Sequence, residues 1–126
     1  MGTFITNKLF IIDKTEEKAK PIRYDNASLE CTEIGEETVK IEVKIINKNG
    51  RKVHKLPKNF KIVAFDDWGG SLMYFPNVDF ERGKYICHDE SVVCDNGEKV
   101  ETSFIFRHHF NFLKNNGIEL KTENFQ

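Results

Sequence analysis

The segment Val39, Ile41, Val43 and Ile45 alternates strictly with Lys40, Glu42 and Lys44. A period of two gives one apolar and one wet face, the signature of a half-buried strand. Lys48-Asn49-Gly50 follows at once. Asn and Gly accept positive φ at low cost, so the pair predicts a hairpin. A two-residue loop would set Lys44 against Lys55. A three-residue loop with a bulge at Gly50 sets Ile45 against Val53 on the buried face and is preferred. Pro57 ends the return arm, Arg51 to Leu56, or marks an edge.

The same grammar recurs along the chain. Strands are expected over Thr3 to Ile12, Ser28 to Ile34, Phe60 to Phe65, Ser71 to Phe75, Lys84 to His88 and Ser91 to Cys94. Asp66 to Gly70 reads as a turn, residues 76–83 as a loop, and Asp95-Asn96-Gly97-Glu98 as a second hairpin turn. A short helical turn fits Thr15 to Ala19, and Ile118 to Lys121 reads as a last short strand. Amphipathic helical periodicity is scarce. About eight or nine short strands with polar turns between them predict an all-β, antiparallel domain, either a sandwich or a partly open barrel. The 126 residues suit one such domain over 1–126, with 122–126 a frayed tail.

The longest strand expected is Lys99 to Leu113. Phe104, Phe106, His108, Phe110 and Phe112 share one parity, and Arg107, His109 and Asn111 the other. The phenylalanine row reads as core, each buried ring contributing roughly 1.5–3 kcal/mol. The opposite row joins a planar guanidinium to an imidazole and an amide, a donor set suited to a small anionic or polar ligand. Trp68, on the turn, is the candidate partner anchor, because exposed aromatics dominate interface energetics. The site residues expected from sequence are therefore Trp68, Arg107, His109 and Asn111, for binding a protein or ligand.

Catalytic signatures are absent. The chain has no nucleophile elbow, phosphate-binding loop or dinucleotide fingerprint. Cys87 and Cys94 lack the paired spacing of zinc sites, so no metal or cofactor is expected. Three cysteines are an odd number and suit reduced thiols better than a disulfide framework, although a Cys87–Cys94 bond is sterically conceivable. The rival to a binding role is a small enzyme with Cys87 or Cys94 as nucleophile and a histidine as base. A net charge of −1 gives no global case for nucleic acid. No stretch approaches the roughly 20 apolar residues of a membrane helix. The expectation is a cytoplasmic protein, or an extracytoplasmic one if a leader has been removed. An edge strand offers a route to a homo-oligomer.

The run Thr38 to Asn47, followed by Pro57, Phe60-Lys61-Ile62-Val63 and Asp66-Asp67, resembles the opening strands of bacterial immunoglobulin-like lipoprotein domains. Gly97-Glu98-Lys99-Val100 before Phe104-Ile105-Phe106 is similar to their later strand. The resemblance implies a β-sandwich acting as a binding or protective module, and transfers no catalytic residue. Together these readings point to a non-enzymatic binding protein. It could serve as a phage or mobile-element inhibitor or as an accessory module. It would act by occupying a partner surface or by sequestering a small ligand.

Overall fold

A computed structural model describes residues 2–16, 20–34, 40–66, 71–89, 91–95 and 107–125. It is built mostly from antiparallel strands: β1 (Gly2–Asp13), β2 (Ile22–Asp25), β3 (Ser28–Ile34), β4 (Lys40–Ile46), β5 (Asn59–Asp66), β6 (Ser71–Glu81), β7 (Lys84–Cys87) and β8 (Val92–Asp95). One helix, α1 (Arg107–Asn115), and a 3-10 turn, Thr122–Phe125, follow. No described helix is long and apolar enough to cross a membrane.

The strand order is β1–β3–β4–β7–β6–β5, and β5 pairs back onto β1 from Thr6↔Asp66 to Asp13↔Phe60. This pairing closes a six-stranded barrel, so of the two architectures expected from sequence the barrel is the one that fits. β2 extends the β3 side of β1: Lys8↔Asp25 and Phe4↔Leu29 belong to one continuous register. Asn26, at φ 54°, interrupts that long partner strand. β8 pairs with the first half of β6.

Alternation along the strands fills the barrel. Leu9, Ile11, Leu29, Val43, Ile45, Phe60, Ile62, Ala64, Phe75, Val78, Tyr85 and Cys87 form the interior cluster. The hairpin after β4 adopts the bulged register expected from sequence. Val53 N–H donates to Ile45 O at 2.8 Å, Ile46 bridges Lys52, and Gly50 takes φ 77°. Apart from that bridge, the return arm forms no strand.

Residues 76–83 differ from the expected loop. β6 continues through Pro76 to Glu81, and Phe60↔Val78 gives way to Ile62↔Phe75. Pro76 and Asn77 therefore stand opposite Lys61 alone, a bulge that keeps both Phe75 and Val78 pointing inward. Proline lacks an N–H, and a bulge is where a sheet tolerates that loss. The Asn59 amide nitrogen fastens the region, reaching Asn77 Oδ1 at 2.7 Å and Asp79 Oδ1 at 2.6 Å.

The largest departure lies at the C-terminal end. The expected strand over 99–113 has its first part, including Phe104 and Phe106, outside the described residues, and Arg107–Asn115 is helical. At helical spacing His109, Phe112 and Leu113 share a face, with Phe110 beside Leu113. That face covers a second apolar layer on the barrel exterior: Phe10, Val63, Phe65, Leu72 and Tyr74, joined by Leu113, Ile118 and Leu120. Phe112 meets Tyr74 edge-on at 5.5 Å. The helix ends in a Schellman motif. Ile118 N–H donates to Leu113 O at 2.8 Å, Gly117 N–H donates to Lys114 O at 3.1 Å, and Gly117 takes φ 74°. Ile118 and Leu113 supply the accompanying apolar contact. Residues 118–120 form no strand, and 17–19 of the expected helical turn lie outside the described residues. Beyond them, Arg23 Nη1 donates to Asn124 O at 2.9 Å, tying the last turn to β2.

The helical assignment separates two neighbouring residues energetically. Leu113→Ala, at a position 1% exposed, should lower unfolding stability by about 2–5 kcal/mol. Asn111→Ala, on the solvent face, should change it by less than about 0.5 kcal/mol. Denaturant titration of both variants checks this, and equal losses would contradict the helix.

Candidate functional site at the barrel mouth

The inner row of β3 runs outward from Leu29, fully buried, through Cys31, half-buried, to Glu33, exposed. Cys31 stands opposite Val43 on β4 and Gly2 on β1, and Glu33 opposite Ile41. Phe4 on β1 and Met73 and Phe75 on β6 complete the wall. These residues enclose an open pocket of about 250 Å³, with Thr3 and Ser91 also on its lining. Its floor is the barrel core, against which Phe4, Cys31, Ile41 and Met73 pack. The pocket exists because the inner rows of β1, β3, β4 and β6 end here without a described side chain plugging them.

Among the described residues the pocket has an apolar wall, one carboxylate at the rim, one thiol and the hydroxyl-bearing Thr3 and Ser91. Burial, reinforced by the neighbouring Cys87, pushes the Cys31 thiol up to about 11. Burial likewise raises Cys87, whose Sγ lies 3.1 Å from Asp89 O. Both sulfurs therefore stay protonated near neutrality, which makes them poor nucleophiles and poor metal ligands.

Of the residues singled out from sequence, Arg107, His109 and Asn111 do not line this pocket. Trp68 lies outside the described residues. Arg107, His109 and Asn111 fall on α1, where alternate positions point to opposite sides. Arg107 and Asn111 are exposed, one turn apart, whereas His109 is wholly buried between helix and barrel with its ring 6.1 Å from Phe65. The single polar row expected for a strand is thus divided between solvent and core. Cys87 packs inside the barrel, whereas Cys94 packs against the exterior layer under α1. The barrel wall separates them, and all three cysteines are unbonded. His54 is exposed, its carbonyl accepting from Tyr85 Oη at 3.0 Å.

A second polar group lies on the outside of β6 and β7. Asp79, Glu81 and His88 bring their oxygen and nitrogen atoms within 4.8 Å of one another, and His88 Nε2 meets Glu81 Oε1 at 2.8 Å. This Glu81–His88 pair is partly solvated, where such contacts contribute little to stability.

Sequence reasoning missed Cys31, Glu33, Ile41, Met73 and Phe75 as one site. Their parity was legible, but the closure of β1 onto β5 that puts them around one mouth was not. No family model, no characterised relative and no solved structure matches this chain.

The thiol chemistry has a direct readout. If thiolate fraction alone sets the rate, Cys31 should react with iodoacetamide at pH 8 roughly a hundredfold more slowly than an unperturbed thiol, Cys87 also being retarded. Site-resolved mass spectrometry measures both. The sign for stability follows from the same shifts. The unfolded chain deprotonates from its ordinary value near 9, while the folded chain holds the proton until about 11. Stability should therefore fall as pH rises through that window.

Proposed function

We propose that the protein is a non-enzymatic binding module that sequesters a small ligand in the mouth of its barrel. The observation that carries this is the pocket of about 250 Å³ whose floor is continuous with the barrel core. Concave, mostly apolar cavities with few polar groups are the usual form of small-molecule sites, and barrel mouths are a common place for them. The pushed-up thiols speak against a Cys87 nucleophile, because a nucleophilic cysteine needs its thiolate at working pH. Unbonded cysteines fit a reducing cytoplasm. An accessory or inhibitory role, of the phage or mobile-element kind, would then be exercised by withdrawing a ligand. Kinship with immunoglobulin-like lipoprotein domains is a separate proposal, resting on their shared strand-and-turn pattern alone.

Indole tests the site, because it is small, apolar and flat. Titration into isotope-labelled protein should shift the amide resonances of Phe4, Cys31, Ile41, Met73 and Phe75 together, with saturation. Cys31→Phe, which fills the pocket, should abolish the shifts while the circular dichroism spectrum stays that of the parent. If that variant misfolds, Ile41→Phe repeats the test from the opposite strand. Shifts scattered over the surface, or none at millimolar indole, would overturn the proposal.

A further inference from the structure

We infer, on the reading that the barrel mouth is the binding site, that its ligand is a small aromatic amine. Its ring would lie against the inner wall and its ammonium group at Glu33.

Size sets the first limit. A cavity of about 150 Å³ lined by aliphatic and aromatic side chains holds benzene, and drug-sized sites begin near 300 Å³. A pocket of about 250 Å³ therefore suits one ring or two fused rings.

The wall sets the second. Phe4 and Phe75 contribute aromatic rings to the wall, and the Met73 thioether is polarisable. Aromatic pairs gain about 0.5–1.5 kcal/mol beyond area burial, and sulfur–aromatic contacts add a similar increment. A flat π-system exploits both, whereas an aliphatic body of the same volume exploits neither.

The rim sets the third. Glu33 is the one carboxylate among the described residues lining the pocket. It continues the inner row of β3 two residues beyond Cys31, so its Cα lies about 6.6–6.8 Å further out along the strand. An ammonium on a two-carbon arm from a ring seated beside Cys31, together with a charge-assisted hydrogen bond of about 2.8 Å, spans an offset of that order. An ionised carboxylate only accepts hydrogen bonds, so it favours an N–H donor and repels an anion. Burial holds the thiols neutral, so they add no second anion beside Glu33. A protonated primary amine matches the rim in charge and in donors, and a ligand carboxylate is rejected by the same group. Specificity of this kind comes as much from the repelled analogue as from the attracted one.

Calorimetry at neutral pH and low salt, with tryptamine, indole and indole-3-acetate as probes, tests the assignment. Tryptamine should bind at least tenfold more tightly than indole-3-acetate, with indole between them. Glu33→Gln lies on an exposed rim position, and its melting temperature should match the parent. In that variant the amine preference should disappear while indole affinity is retained. Binding of indole with equal affinity for the amine and the acid would overturn the ligand class and leave the mouth as the site. A tryptamine preference that survives Glu33→Gln would overturn the role of Glu33. Failure of all three probes, together with no indole-induced shifts at the mouth, would overturn the underlying reading of the site.

Discussion

The pairing of β1 with β5 is the contact on which the rest of the molecule depends. It runs over Thr6 to Asp13 and converts a row of strands into a cylinder. Without it the inner residues of β1 and β5 would face each other across an open edge, and two rows of backbone donors and acceptors would need other partners. Closure also fixes the curvature that gathers Phe4, Cys31, Ile41 and Phe75 around one opening. The strand is adapted for this at Thr6, where the register against β5 shifts between Thr6 and Lys8. The Thr6 side chain is fully buried, its Oγ1 against the carbonyls of Lys8 and Phe65, and its N–H donates to Ala27 O at 3.0 Å. One polar residue thereby satisfies the backbone at the point where β1 passes the interruption between β2 and β3.

A consequence of closure is that β1, β5 and β6 are covered on both sides. The interior cluster fills the barrel, and α1 with residues 118–120 seals the outside. The two layers also sort the titratable groups. Cys31 and Cys87 belong to the inner layer, whereas Cys94 and His109 belong to the outer one, so the barrel wall separates the two inner thiols from His109. Lys61 points outward, its Nζ donating to Asn116 O at 3.2 Å beside the end of α1. Burial there lowers its pKa.

Much of the strand pattern was legible because a period of two is a strong local signal. Ser28 to Ile34 and the Ile45–Val53 register came directly from alternation and from Asn49-Gly50. β2 was missed because Ile22 to Asp25 is short and bracketed by proline and asparagine, and its pairing is non-local. α1 was misread for a physical reason. Phe104, Phe106, Phe110 and Phe112 alternate with period two, while Phe106, Phe110 and Leu113 also satisfy helical spacing, so local pattern could not arbitrate. The Schellman signal at Asn116-Gly117 was visible but equally consistent with a strand-ending turn. The mouth residues were individually ordinary, and only the long-range β1–β5 contact makes them neighbours. Trp68 lies outside the described residues, and the outcome for Arg107, His109 and Asn111 turned wholly on helix against strand.

Strands buried on both faces lack a common safeguard. In β5, Phe60, Ile62 and Ala64 point inward and Val63 and Phe65 outward, so a slip of one residue exchanges one apolar set for another. In this row only Lys61 would carry a charge inward on such a slip, so the bulges at Thr6 and at Pro76-Asn77 share in holding the register. The same property bears on the unfolded chain. Phe60-Lys61-Ile62-Val63-Ala64-Phe65 is a six-residue window rich in strand formers with a single charge, the composition of cross-β assemblies. In the closed barrel both edges of this window are taken, by β1 on one side and β6 on the other. The closure that shapes the mouth therefore also withholds an aggregation-prone stretch of the chain from its neighbours in solution.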